Sequence, residues 1–286
     1  MAGGQERILR RRIRSIDATK KITRSFELIA ASQIARAQGR IAGARPYVQA
    51  ISAILAETAR ESGNPTRLLG VPESPENVLV LVIVADRGLA GAYNSSVLRA
   101  AERLIAAGAR AGQHHRLFAV GKKAHAYFRF RHQVVEHQFV GMSDRPSFED
   151  ARRVAAAVVP PFLSGEVDLV QIVSTRMRSA ASQFVETRQL LPVLPAGAAP
   201  SVPAPRPGEG GDEIPGGAYE PEPFDLSSGG RQGGFFEFEP DVERLLAALI
   251  PDYAEAAIYG ALLEASASEH SARQRAMSSD IRVSPG

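Results

Sequence analysis

No cysteine occurs in the chain, so disulfides and thiol chemistry are excluded and cysteine usage says nothing about compartment. No apolar run approaches the ~20 residues that a bilayer-spanning helix needs. Any membrane association must therefore go through a partner, with no direct insertion. Lysine is scarce, four residues against thirty arginines. Lysine serves most exposed positions equally well, so the skew reads as genomic composition bias. Catalytic signatures are missing too: there is no H-E-x-x-H, no paired Cys/His spacing and no G-x-S-x-G. The histidines, His114, His115, His125, His132, His137 and His270, form no convincing ligand set and read as surface or loop residues. Neither metal nor cofactor is expected, and nothing argues for an enzyme.

What is present is enough for one or two domains: 286 residues, 44% of them hydrophobic. The net charge is only +3, but it is unevenly spread. Residues 1–50 carry 11 Lys and Arg against three acids, Glu6, Asp17 and Glu27. A signal peptide would need an apolar core behind those charges, and none follows. A basic nucleic-acid-binding helix is disfavoured, because the charge is spread around the helix without aromatic interleaving; no nucleic-acid partner is expected.

Instead a heptad pattern runs from Leu9 onward. One seam position takes Leu9, Ile16, Thr23, Ala30, Ala37, Ala44 and Ile51; the other takes Ile13, Lys20, Glu27, Ile34, Ile41, Val48 and Leu55. All are apolar or Ala except Lys20, Thr23 and Glu27, which cluster. The repeat is that of a coiled coil, and its alanines allow close approach of a partner helix. Pro46 falls inside the pattern, but the seam resumes in register after it. The spacing predicts a kink there, and an end at Gly63, Asn64 and Pro65. The polar cluster is a register device in a bundle, or a contact surface in a moving shaft.

The middle of the chain alternates. Residues 77–85 form a β-branched run of the kind buried on both sheet faces. Further strands are predicted at 116–120, 133–139, 168–174 and 184–191, with helices at 95–107, 122–128 and 147–163, the last opened by a Ser147/Asp150 capping box. This pattern is a Rossmann-like α/β layer. The loop 86–94 sits where nucleotide-binding loops sit, but Gly88 and Gly91 lack the spacing of a dinucleotide or P-loop fingerprint and read as turn residues. From Pro192 to Gly234 the chain is dense in Pro and Gly, which predicts a largely disordered surface loop, followed by a short strand at 235–238. Helix returns after Glu239-Pro240, with a break or kink at Pro251. It then runs from about 252 to 277, burying Tyr253, Ala256, Tyr259, Leu263 and Ala267. On pattern alone, residues 268–277 are a solvated helix end.

The block 20–36 resembles the pattern Lys-Ile-Thr-(basic)-x-Met-Glu-(apolar)-(apolar)-Ala-(small)-Ser of the gamma subunits of F-type ATP synthases. Lys21, Ile22, Thr23, Arg24, Glu27, Ala30, Ala31 and Ser32 match it. So do Arg45-Pro46-Tyr47, Asp86-Arg87-Gly88-Leu89, Gly91 with Asn94, Glu239-Pro240, and Ser268-Glu269, Ala272-Arg273 and Ala276-Met277. The resemblance implies an α/β foot flanked by terminal helices forming an antiparallel coiled coil. Residues 1–62 would be the N-terminal helix, 76–191 the α/β domain, 192–234 the insert and 235–286 the C-terminal helical segment. It implies a rotor: a non-catalytic subunit, without cofactor, that turns inside a ring of alpha and beta subunits. Its foot would dock with epsilon on the membrane ring of c subunits, at the cytoplasmic face of a bacterial plasma membrane. Lys21, Ile22, Thr23, Arg24, Phe26, Glu27, Ala30, Ala31, Ser32, Asp86, Arg87, Gly88, Glu269, Arg273 and Met277 would be subunit-contact residues. Reversing the charge of Glu269 or Arg273 would then impair coupling more than folding.

Three departures from the family pattern stand out. Phe26 replaces the usual Met, the insert is longer, and the family's last helix continues past the position of Met277 by ~40 residues, ~60 Å of shaft. Without that partner Leu9, Ile13 and Ile16 would be uncovered. The alternatives are a coiled-coil scaffold that has lost rotary coupling, a non-functional truncated homologue, and a nucleotide-binding α/β enzyme.

Overall fold

The computed structural model describes residues 2–61, 68–70, 72–179, 182–194 and 242–283. Helix α1 spans Ala2–Glu61. It passes through Pro46 without ending, and its 60 residues make a rod of about 90 Å at 1.5 Å per residue. Between it and the last helix lie β1 (Asn77–Ile83), α2 (Tyr93–Arg110), β2 (His114–Val120), α3 (Lys122–Phe130), β3 (His137–Phe139), α4 (Phe148–Ser164), β4 (Leu169–Met177) and β5 (Gln183–Leu191). Helix α5 closes the chain over Val242–Val283.

The strands form one sheet in the order β3-β2-β1-β4-β5. The first four are parallel and β5 is antiparallel to β4. β1 is central, and from Val78 to Ile83 every residue is buried, which is why its sequence is an unbroken apolar run. Alternate residues feed two cores. Leu79, Leu81, Phe118, Ile172 and Leu190 pack with α4 and α5. Val80, Val82, Ala119 and Val173 pack with α2 and α3. Burying a side chain such as Phe118, Leu81 or Phe162 stabilises by about 1.5–3 kcal/mol each. Ser147 and Asp150 make the predicted reciprocal capping box at α4.

α1 and α5 run antiparallel: Glu27 meets Ser278, and Gly260 lies under Val48. The heptad seam is the buried line, with Ala30, Ile34, Ala37, Ile51 and Leu55 all below 8% exposed. Beyond the reach of α5 the same seam is bare, and Leu9, Ile13 and Ile16 are 57%, 57% and 53% exposed.

Three expectations change. The strand predicted at 133–139 shrinks to His137–Phe139. The preceding residues make a turn in which His132 has φ 55° and the Gln133 amide bonds the Phe128 carbonyl. Pro251 does not end α5, because Ile250 and Ala254 on either side are fully buried against the sheet core; packing outweighs the one missing hydrogen bond. The start of the Pro/Gly segment is ordered, since Val193 pairs with the chain after α1, its amide on Leu68 and its carbonyl on Gly70. Residues 195–241, including the strand predicted at 235–238 and Glu239-Pro240, lie outside the described residues, as do Gly63, Asn64 and Pro65. No helix among the described residues is long and apolar enough to cross a membrane.

Candidate subunit-contact site

β1 ends at the crevice where a parallel α/β sheet customarily binds ligands. Here the crevice is filled by the chain itself. The Asp86 carboxylate accepts from the backbone N–H of Lys122 (3.0 Å), at the N-terminus of α3, and from those of Gly141 (2.9 Å) and Ser143 (3.4 Å). In return the Asp86 N–H donates to Ser143 Oγ (2.9 Å). The anion that a helix N-terminus attracts is thus supplied internally. Gly121 seals the position, for its φ is +95° and an added Cβ would lie 2.2 Å from the Val84 carbonyl. This geometry argues against the nucleotide-binding alternative, and it makes Asp86 an organiser of the loop.

The loop is held on its other side by Asn94. Its Oδ1 accepts from Ala85 N–H (2.9 Å) and its Nδ2 donates to the Arg87 carbonyl (3.4 Å). Between these fixed points Leu89 adopts φ 60° and stands 65% exposed. A left-handed conformation is costly for a branched apolar residue. Arg87 is also exposed and Gly88 is half-buried.

α5 reaches the same loop. Glu269 is fully buried and pairs with Arg273 (2.5 Å), whose side chain is 11% exposed; Arg273 also donates to the Gly88 carbonyl (3.3 Å). One turn earlier, Ser266 Oγ donates to the Asp144 carbonyl (3.0 Å), and His270 Nε2 lies 3.1 Å from the same oxygen. Since a carbonyl only accepts, His270 carries its proton on Nε2. Burial pushes the Glu269 carboxyl above its ordinary range, against the pull of Arg273. Burial lowers His270, against the opposing influence of Asp144. Tyr93, buried beside Glu269, is raised by burial and then by that carboxylate.

Three blocks far apart in sequence therefore meet at the junction of shaft and foot. Glu27 of α1 accepts from Ser278 Oγ (3.1 Å) and pairs with Arg24 (2.7 Å). Gly88 takes Arg273, and Gly91 approaches Ala276. The sequence-predicted residues divide here by exposure. Lys21, Ile22, Arg24, Phe26, Ser32 and Arg87 face outward, while Ala31 is half-buried. Thr23, Ala30, Glu269 and Met277 are buried within the chain. The reading of 268–277 as a solvated helix end is corrected accordingly: Ser268, Glu269, His270 and Ser271 are all buried, because the end of α5 lies between α1 and the loops of the foot. His270 is likewise no surface histidine. One residue was not named from sequence: Ile29, 55% exposed, extends Ile22 and Phe26 into an apolar stripe at i, i+4 and i+7. It fills the second apolar position of the motif, and that position with the helical spacing was the signal for it.

The comparisons agree with this architecture. The sequence model of the family described as ATP synthase matches residues 5–281. An ATP synthase gamma chain of Frankia casuarinae is 39% identical over 280 residues, covering 96% of this chain and 85% of its own length. That of Mycolicibacterium vanbaalenii is 40% identical over 287 residues with the same coverages. Among solved structures, a chain from the central stalk and c-ring of the Tetrahymena thermophila mitochondrial ATP synthase shares the fold. Its TM-score is 0.62 at 22% identity, with 90% of this chain and 98% of that chain covered. With its long antiparallel helices, its α/β foot and its sequence matched almost end to end, the chain belongs to the ATP synthase gamma chain family.

Proposed function

We propose that this gamma chain works as the central-stalk rotor of a proton-translocating ATP synthase, itself non-catalytic, carrying rotation between a membrane ring of c subunits and catalytic beta subunits. In this reading α1 and α5 form the shaft within the alpha–beta ring. The sheet domain is the foot, docking with epsilon and the c-ring at the cytoplasmic face of the membrane. The observation that carries the reading is the exposure on α1 of Lys21, Ile22, Arg24, Phe26 and Ser32, together with the exposed Arg87 and Leu89 of the loop that Arg273 ties to α5. Apolar contact with charged neighbours suits a surface that must engage successive partners without locking to one. Thr23, Glu27, Ala30, Glu269, Arg273 and Met277 would support that surface from beneath by holding α1, α5 and the loop together.

The test is reassembly with the matching alpha and beta subunits, scoring complex formation and ATP hydrolysis. A stable complex that hydrolyses ATP is the expected result. A stable complex without hydrolysis would overturn the rotor reading in favour of a scaffold, and no complex would overturn both.

A further inference from the structure

α5 packs on the sheet through a mixed apolar face. Toward the sheet it buries four alanines, Ala254, Ala257, Ala261 and Ala265, among the larger Ile250, Ile258 and Leu262, and at Gly260 it offers α1 no side chain at all. Apolar burial is non-directional, so directional polar contacts are what add a preferred angle about the helix axis to the burial that these residues provide. The sheet face beneath it is not uniformly apolar. In the β4–β5 register, Ile172 lies opposite Arg188, Ser174 opposite Glu186 and Arg176 opposite Phe184. Directly paired residues share a face and alternate residues repeat it, so all six project to the α5 side. That face begins with core residues such as Val170, Ile172 and Leu190 and turns charged toward the end of β4.

Each charge has a partner. Arg188 Nη2 donates to the Ala257 carbonyl on α5 (2.7 Å). Arg176 pairs with Glu186 beside it (3.2 Å) and with Glu264 of α5 (3.6 Å). The two anchors on the helix, 257 and 264, are seven residues apart. They therefore fall on one face about 10 Å apart along the axis, and a turn of α5 by a single residue position would break both together. Glu264 is only 22% exposed at its side chain and Arg176 33%, so water replaces these partners incompletely.

We infer that Arg188 and the Arg176–Glu264 pair are a phase clamp, which fixes the rotational position of the shaft helix α5 against the sheet of the foot so that torque passes between them. The inference rests on the rotor reading above. Hydrophobic burial holds the helix on the sheet, and the polar anchors fix its angle.

The experiment uses the whole chain reassembled into its complete synthase in sealed vesicles, comparing ATP-driven proton pumping with ATP hydrolysis. The variants are Arg188→Met, Glu264→Gln, the two combined, and Arg188→Lys, which keeps a donor of nearly the same reach. In the double variant hydrolysis should stay within about twofold, while protons pumped per ATP fall by about threefold or more. Arg188→Lys should retain most of the pumping. A purely structural role would lower both activities in parallel, and that result, or an unchanged ratio in the double variant, would overturn the clamp. If the unsubstituted chain supports no hydrolysis, the rotor reading fails and the clamp with it; a working unsubstituted complex confines any failure to the clamp.

Discussion

Glu269 loses its water on folding and gains Arg273 in exchange, with both side chains nearly sequestered. Removing one partner of such a pair leaves a buried charge uncompensated, which costs about 3–5 kcal/mol. Arg273→Met should therefore destabilise the chain by about that amount in urea denaturation, and adding Glu269→Gln should recover a substantial part of it. This changes the ordering expected from sequence. Reversal of either charge should damage folding at least as much as coupling, because Glu269 is directed into the foot and acts through Arg273. Equal stability of Arg273→Met and the unsubstituted chain would contradict the assignment. His270 gives a pH signature. Asp144, Arg273 and Arg40 surround it, and burial dominates, so its folded pKa lies below the ordinary value. The unfolded chain then binds the proton first. The stabilisation is complete above the ordinary histidine value of about 6.5 and is lost as pH falls toward the depressed one. Glu269, raised by burial, works the other way, so that stability falls as pH climbs from the ordinary carboxylate range to its raised value. His270→Gln keeps a donor for Asp144 and removes one titration. Its urea midpoint should show less loss on acidification below about 6.5, and an unchanged slope would refute this account.

At the scale of elements, α1 has two regimes along one heptad seam. From Ala30 to Leu55 the seam is covered by α5, and from Leu9 to Ile16 it is open. Helices without a packed face are marginal in water. In the isolated chain, amides around 9–16 should exchange with solvent within seconds to minutes, while those around 48–55 approach global protection. Full protection at 9–16 in a monomer would rule this out. The heptads were legible because a 3.5-residue apolar repeat needs no tertiary information. So was β1, whose doubly buried run has no other comfortable place in an α/β fold. The shortness of β3 was not legible, since β-propensity continues through 133–136 and only the edge position ends the pairing. Nor was the continuity of α5 through Pro251, where burial on both sides outweighs a local rule.

At the scale of the molecule, the residues proposed for subunit contact were legible as sequence blocks but not as a surface. The motif 20–36, the loop after β1 and the end of α5 are each recognisable alone. Their meeting at Glu27–Ser278, Gly88–Arg273 and Gly91–Ala276 depends on where the antiparallel pair is registered over the foot. That register divides one motif into outward residues (Lys21, Ile22, Arg24, Phe26) and inward ones (Thr23, Ala30). The charges under α5 were hidden for a related reason. Glu186 and Arg188 fall inside the predicted strand 184–191 and Arg176 just past the predicted strand 168–174, where no local pattern marks them; only the arrival of α5 on their face of the sheet gives Arg176 and Arg188 their partners on the helix.

By itself the sequence determined the elements and their order, the coiled-coil seam, the absence of thiol chemistry and the family, because these rest on composition, local periodicity and short motifs. The tertiary structure decided which polar residues are buried, which loop fills the ligand crevice, and which charges hold the shaft to the foot. Those properties belong to pairs of surfaces brought together over more than a hundred residues of chain, and desolvation, which sets their energies, exists only once the surfaces have met.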